Sequence, residues 1–312
     1  VKGQYAVKRA MEIAVAGGHN ILLIGPPGAG KTMIARAVPS IMPSMTFDEA
    51  LEVAKIHSVS GKLTEGFIYQ RPFRTPHHSS TMVALTGGGN KARPGEISLA
   101  HNGVLFLDEL PEYNRQTLET LRQPLEDGVI TVSRNAISVT YPADFMLVAS
   151  MNPCPCGNYG SATAECTCSP SQIHRYLGKL SGPLLDRIDI HVEVDNVSYD
   201  ELQDDVLAED SATIRARVNR AREVQFARLG ASGKHTNSQM NSSDIKKYCK
   251  LDKQSTELLK ESFEKLNLSA RAYNRILKVA RTIADLDGSE NITAKHIAES
   301  LQYRMLDRKY RV

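Results

Sequence analysis

Apolar and polar positions follow two rhythms along this chain. Val7, Ala10, Met11 and Ala14 recur at helical spacing over residues 2–16, and Gly17-Gly18 closes the run. The unbroken quartet Ile21-Leu22-Leu23-Ile24 reads as a buried strand, followed by a glycine-rich turn and a helix that Pro39 stops. Thr46-Phe47-Asp48-Glu49 is a capping box opening a helix to about Ile56. Residues 57–97 are less regular and hold the turn Gly87-Gly88-Gly89 and the run Arg71-Pro72-Phe73-Arg74-Thr75-Pro76-His77-His78. A second buried strand, Gly103 to Leu107, precedes a helix from about Asn114 to Asp127. Two β-rich segments over Val129–Val139 flank a polar tip at Arg134-Asn135, the pattern of a hairpin. Phe145–Ser150 is a further strand. Ser169-Pro170 supplies an N-cap and first-turn proline for a helix through Leu180, and Ile190–Val194 is the last strand.

Strands alternating with helices predict an α/β fold with a parallel sheet over residues 1–197. From Ser198 to about Leu229 the chain reads as a charged helix in which Arg215, Arg217, Arg220 and Arg222 lie mostly on a solvated face. Polar, glycine- and serine-rich residues 230–243 read as a linker, so 198–243 connects the sheet domain to a helical domain at 244–312. That last part holds helices at 244–250, 255–266, 270–286 (capped by Ser269) and 294–306 (capped by Thr293).

The most specific chemistry lies in Gly25-Pro26-Pro27-Gly28-Ala29-Gly30-Lys31-Thr32, between the first strand and the helix after it. Strand, glycine-rich turn and helix start form the context of a phosphate loop. The glycines let successive N–H groups converge on one anion. Lys31 places an ammonium between the terminal phosphates of a nucleotide, and the Thr32 hydroxyl can hold magnesium. The strand at 103–107 ends in Asp108-Glu109, and in an α/β sheet ligands gather at such carboxyl ends. Asp108 would hold magnesium through water, and Glu109 would orient and deprotonate an attacking water. Asn152, just beyond the next strand, could hold that water or the γ-phosphate, or could merely start the turn.

Composition adds bounds. With 312 residues, 41% hydrophobic and 23% charged, the chain has room for two globular domains. No apolar run approaches the roughly 20 residues that cross a bilayer, and no signal-peptide pattern opens the chain, so cytoplasm and no membrane are expected. A net charge of +3 does not by itself argue for nucleic acid. The chain begins at Val1 without a methionine, and further residues are expected upstream. Of five cysteines, Cys154, Cys156, Cys166 and Cys168 form two C-x-C pairs that fit a structural tetrahedral zinc knuckle; free thiols or a redox pair are the alternatives. Cys249 stands apart and reads as inert. His77 and His78, side by side, read as loop residues rather than metal ligands.

Together these residues resemble an AAA+ ATPase along nearly the whole chain. The strings Ala16-Gly17-Gly18-His19-Asn20, Arg74-Thr75-Pro76-His77-His78-Ser79-Ser80, Arg93-Pro94-Gly95-Glu96-Ile97-Ser98-Leu99-Ala100-His101 and Asn152-Pro153-Cys154-Pro155-Cys156-Gly157 are more specific still. They resemble the magnesium-chelatase-like ComM/YifB family of bacterial competence proteins, in which a domain of Lon-protease type, absent from this sequence, precedes the ATPase. The resemblance implies ATP and magnesium as cofactors, and a homo-oligomer, expected to be a hexamer, that drives branch migration of single-stranded or branched DNA. It makes Asn152 the sensor-1 residue, Arg187 an arginine finger and Arg271 the sensor-2 arginine of a helical lid; a salt bridge from Arg187 to Asp186 or Asp189, and a helix-face cation at Arg271, are the simpler readings. The hairpin about Arg134 resembles a pre-sensor-1 hairpin, and residues 57–97 a helix-2 insertion. By that analogy Arg134, Lys91 and Arg93 are the candidates for contacting DNA phosphates. Two other readings keep the same core. One is a chelatase- or MoxR-type ATPase that remodels proteins or inserts a metal. The other is a nucleotide-gated scaffold without turnover, against which Glu109 argues.

Overall fold

The computed structural model describes residues 3–63, 69–134, 137–161, 164–197 and 209–310. Their strands are β1 (Ile21–Ile24), β2 (Phe73–Arg74), β3 (Gly87–Gly88), β4 (Arg93–Pro94), β5 (Val104–Leu107), β6 (Val129–Arg134), β7 (Ile137–Pro142), β8 (Met146–Met151) and β9 (Ile190–Glu193). Every residue of β1, β5 and β8 is buried, as expected of strands covered on both faces. β2 pairs with β5, β5 with β8, and β1 with β9, each in parallel. The order across the central sheet is β2-β5-β8-β1-β9, which gives the α/β class expected. No helix among the described residues is long and apolar enough to cross a membrane.

The described residues fall into two compact units. One gathers the chain up to Ile24, Gly28–Pro43 and everything from Ile188 onward; the other is Gly25–Pro27 with Ser44–Arg187.

In the first unit, the helix Tyr5–Gly17 and β1 precede the helix Lys31–Ala37, and the helices after Ile188 complete it. The helix Ser211–Leu229 buries Ile214, Val218, Ala221, Gln225 and Leu229 along one stripe. Of its arginines, Arg215 and Arg220 are exposed as expected, whereas Arg217 and Arg222 are half-buried. Arg222 donates to the Val15 carbonyl at 2.7 Å, Arg215 to the Ser40 carbonyl at 3.0 Å, and Arg217 pairs with Glu12 at 2.5 Å. Residues 198–208, where that helix was expected to begin, lie outside the described residues. The segment 230–243 is pinned rather than slack: Asn237 is fully buried and reaches Thr282 and Asp285, and its N–H donates to Gln225. Leu229, Met240, Ile245, Leu259, Ile276 and Leu301 lie in one apolar core with Cys249, whose thiol burial pushes up to about 12.

The second unit opens with the helix Phe47–Ser60. Its capping box is formed: the Thr46 hydroxyl accepts from the Glu49 N–H at 3.2 Å, and the Glu49 carboxylate accepts from the Thr46 N–H at 2.8 Å. The helix expected over 114–127 is two, Arg115–Glu119 and Arg122–Asp127. Pro124 has no N–H to bond back to residue 120, so the break falls one turn before it. β6 and β7 form the expected antiparallel hairpin, with Ile130 and Val132 buried and Thr131 and Ser133 facing out beside Thr140 and Ser138. The tip residues 135–136 lie outside the described residues. In the stretch read as irregular, Arg71 pairs with Glu49 at 3.0 Å and Arg74 with Glu96 at 2.5 Å, and β3 pairs with β4.

Candidate functional site

β1 ends where backbone geometry begins to demand glycine. Gly28 and Gly30 have φ of 82° and 86°, a region that side-chain-bearing residues rarely adopt. Space is not the constraint at Gly28, where an added Cβ would meet nothing within 4 Å. Gly30 leads directly into the helix Lys31–Ala37; Lys31 is buried and Thr32 half-buried. The start of the loop is clasped within the second unit. The Gly25 N–H donates to the Met151 carbonyl at 3.2 Å, and Gly157 lies against the Pro27 ring.

Asp108 and Glu109 follow β5, as the apolar run before them requires. The Ser150 hydroxyl donates to Asp108 and at the same time accepts from the Glu109 N–H at 3.3 Å, which ties the ends of β5 and β8 together. Glu109 is itself left-handed, with φ of 53°, a costly conformation for a residue with a side chain. Its carboxylate is more than half exposed and lies 3.4 Å from Nδ1 of His78. The His78 ring meets the edge of Tyr113, whose hydroxyl donates to the Pro76 carbonyl at 2.5 Å. Burial first, and then the charges of Asp108 and Glu109, raise the Tyr113 hydroxyl above its ordinary pKa, so it stays a donor. Asn152 comes one residue after β8, and its main chain hydrogen-bonds the Tyr176 hydroxyl. Sequence reasoning overlooked Ser150 and His78. The hydroxyl that ends an otherwise apolar strand was the available signal for Ser150; His78 was read as a loop residue, and nothing local pairs it with Glu109.

Cys154, Cys156, Cys166 and Cys168 converge with all sulfurs within 4.8 Å of one another. Cys154 Sγ is 3.4 Å from that of Cys156 and 3.8 Å from that of Cys166, and the Cys156–Cys166 separation is 3.6 Å. A tetrahedron with zinc–sulfur bonds of about 2.3 Å has edges of about 3.8 Å, so the donor set fits such a cation. Main-chain N–H groups of Cys156 and Tyr159 point at Cys168 and Cys154, each at 3.3 Å. The Asn158 N–H, ahead of other donors, pulls the Cys156 thiol down. The Cys156 N–H acts likewise on Cys168, but burial and the neighbouring sulfurs outweigh it and raise that thiol. Sulfurs this close resist ionising together unless a cation sits among them.

The four candidate arginines are placed differently. Arg187 is buried; it donates to the Pro183 carbonyl at 2.7 Å and pairs with Glu126, a partner distant in sequence. Asp189 is engaged by Arg275 instead, and its N–H partner is Asn20 at 2.9 Å. Burial alone would raise its pKa, but Arg275, His19 and the Asn20 N–H hold its carboxyl below the usual range. Arg271 stands exposed in the first turn of the helix Ala270–Leu286. Arg134 closes β6 opposite Ile137. Lys91 and Arg93 are exposed on the β3–β4 turn, which the structure joins to the hairpin: the Tyr141 hydroxyl of β7 donates to the Ala92 carbonyl at 2.8 Å.

Residues 1–202 match the family described as magnesium chelatase, subunit ChlI, and residues 208–304 match its C-terminal family. The chain belongs to this AAA+ family. It is 49% identical over 310 residues to the uncharacterized protein YifB of Escherichia coli and 50% identical over 308 residues to the competence protein ComM of Haemophilus influenzae. These alignments cover 99% and 98% of this chain but 60% and 59% of the relatives, so the chain spans about three-fifths of their length. A magnesium-chelatase subunit ChlI from Olisthodiscus luteus is 28% identical over 169 residues, 49% of each chain.

Proposed function

We propose that the chain is the ATP-hydrolysing motor part of a ring that acts on DNA in competence and recombination, by branch migration or unwinding. The observation that carries the ATPase reading is the Ser150 bridge between Asp108 and the Glu109 N–H, one residue from the Met151 carbonyl that receives the Gly25 N–H. It supports a catalytic acid pair beside the entry to the phosphate loop.

In this reading the loop's N–H groups and Lys31 bind the β- and γ-phosphates of ATP. Magnesium, held by Thr32 and Asp108, would neutralise charge on those oxygens. Glu109 accepts a proton from the attacking water and Asn152 orients that water. Arg187 and Arg271 offset charge that develops on the phosphoryl oxygens, Arg187 from the neighbouring subunit of a homo-oligomer, proposed as a hexamer. In that role Arg187 exchanges Glu126 for the phosphate of the adjoining protomer. Lys91, Arg93 and Arg134 contact DNA phosphates in the cytoplasm, the hairpin and the β3–β4 turn moving together. The four thiols hold a structural zinc ion, with no position left open for chemistry.

DNA as the substrate rests on likeness to a protein named for competence. The match to the ChlI family supports a second reading, a chelatase- or MoxR-type remodeller of proteins or inserter of metal. ATP turnover by the full-length protein, measured with single-stranded, branched and duplex DNA, separates the two. The first reading expects stimulation by at least one form; turnover indifferent to all of them favours the second.

A further inference from the structure

Residues 152–169 lie between β8 and the helix Pro170–Leu177, and the described part of this segment forms no strand or helix. Backbone ladders therefore do little to fix its path. Short turns shape it locally, the Gly157 N–H donating to the Cys154 carbonyl and the Ser161 N–H to that of Asn158, each at 3.0 Å; across it four sulfurs converge, and all four cysteines are free of disulfides. The same segment touches the phosphate loop. Gly157 has φ of 86°, and a Cβ placed on it would stand 2.3 Å from Cδ and 3.0 Å from Cγ of Pro27. Only glycine permits both that backbone and that approach. On its other side the loop entry is fixed by the Gly25 N–H bond to Met151. Gly25–Pro27 thus sits between the end of β8 and a turn that lies within the cysteine cluster.

We infer that zinc bound by Cys154, Cys156, Cys166 and Cys168 is a buttress of the phosphate loop: by fixing Gly157 against Pro27 it holds the loop entry in the form that receives a nucleotide. The inference rests on the zinc and nucleotide readings above. Its physical basis is that a structural zinc contributes folding energy directly to the segment that carries its ligands. Without the metal, close thiols disperse, the 154–168 turn loosens, and Pro27 loses the surface it packs on. Metal occupancy and phosphate-loop order therefore rise and fall together.

The test is hydrogen–deuterium exchange of the peptide covering residues 25–31, where Gly25 carries the bonded N–H and Pro26 and Pro27 carry none. The chain is compared as purified, stripped with a zinc chelator under reducing conditions, and reloaded with zinc. Metal analysis should find about one zinc per chain. Stripping should speed exchange at Gly25 by tenfold or more, and zinc should reverse the change. Gly157→Ala should retain zinc and still speed exchange at Gly25, which separates contact with Pro27 from general loss of structure. A chain that neither holds nor takes up zinc overturns the inference together with the zinc reading. Stripping that loosens residues 154–168 and leaves 25–31 as protected as before overturns the buttress alone. Because exchange is read without nucleotide, binding of a non-hydrolysable ATP analogue tests the ATPase reading separately.

Discussion

Nδ1 of His78 lies 3.4 Å from a carboxylate oxygen of Glu109. The contact matters because the Glu109 backbone is already fixed, left-handed at φ 53° with its N–H directed at Ser150 and at Asp108. Only side-chain torsions remain to aim the carboxylate, and His78, backed by the Tyr113 edge, limits them. His78→Ala is expected to lower kcat about tenfold, about 1.4 kcal/mol in the barrier, with KM for ATP unchanged. Gln at this position keeps a donor and should recover part of the rate. A variant that loses nucleotide affinity as much as turnover would show that His78 only holds the loop together.

The acid itself gives a sharper division of labour. Glu109→Gln preserves size and hydrogen bonding but cannot take a proton, so ATP should still bind while turnover drops by about 10²–10⁴. Lys31→Ala should instead abolish nucleotide binding, since its ammonium acts in the ground state as well as in the reaction. Equilibrium binding of a fluorescent ATP analogue, set beside phosphate release, reads both. Normal turnover by Glu109→Gln would remove it from the proposed role.

For DNA, the relevant geometry is the Tyr141 bond to Ala92, which sets Lys91 and Arg93 on a turn joined to the hairpin that Arg134 closes. If these cations meet phosphates, substituting any one by Ala should reduce the slope of log affinity against log salt by about 0.7–0.9. Affinity should fall similarly for all sequences, because phosphate contacts carry no base information. Titrations by fluorescence anisotropy at four salt concentrations suffice. An unchanged slope in all three variants would move the DNA path elsewhere.

Local chemistry was legible where it is written in consecutive residues. The capping box at Thr46/Glu49 forms as its spacing requires, Ser169 caps the helix that Pro170 opens, and the apolar runs before Gly25 and Asp108 are buried strands. The hairpin read over 129–139 was equally plain, because alternation and turn coincide, though its pairing runs on to Pro142. What escaped was whatever depends on a distant partner. Residues 230–243 have a linker's composition, yet Asn237 finds Gln225, Thr282 and Asp285 and becomes part of a buried network. Arg217 and Arg222 look like part of the solvated stripe that Arg215 and Arg220 do form, but Glu12 and the Val15 carbonyl await them. β2 is only two residues long, too short for any period, and its register on β5 follows from the sheet. Ser150 and His78 acquire meaning only when β8 and the 76–78 loop arrive beside Glu109.

Asp189 offers a test of the first unit that is independent of function. Its buried carboxylate accepts from the Asn20 N–H at 2.9 Å, pairs with Arg275 and lies 3.7 Å from Nδ1 of His19, while Arg304 donates to the carbonyl of the preceding Ile188 at 2.6 Å. Burial penalises the charge, but these partners prevail, and the folded pKa lies below the ordinary value. A depressed carboxyl pKa contributes stability that is fully present above the unfolded pKa, about 3.9 for Asp, and is lost as pH falls through the folded value. Asp189→Asn keeps an acceptor for the Asn20 N–H but leaves Arg275 without its counter-charge, so it should cost about 3 kcal/mol at pH 7. In urea unfolding the gap between the native chain and the variant should stay constant from pH 7 to about pH 5 and narrow below about pH 4. A gap as wide at pH 3 as at pH 7 would mean that shape, not charge, makes Asp189 necessary.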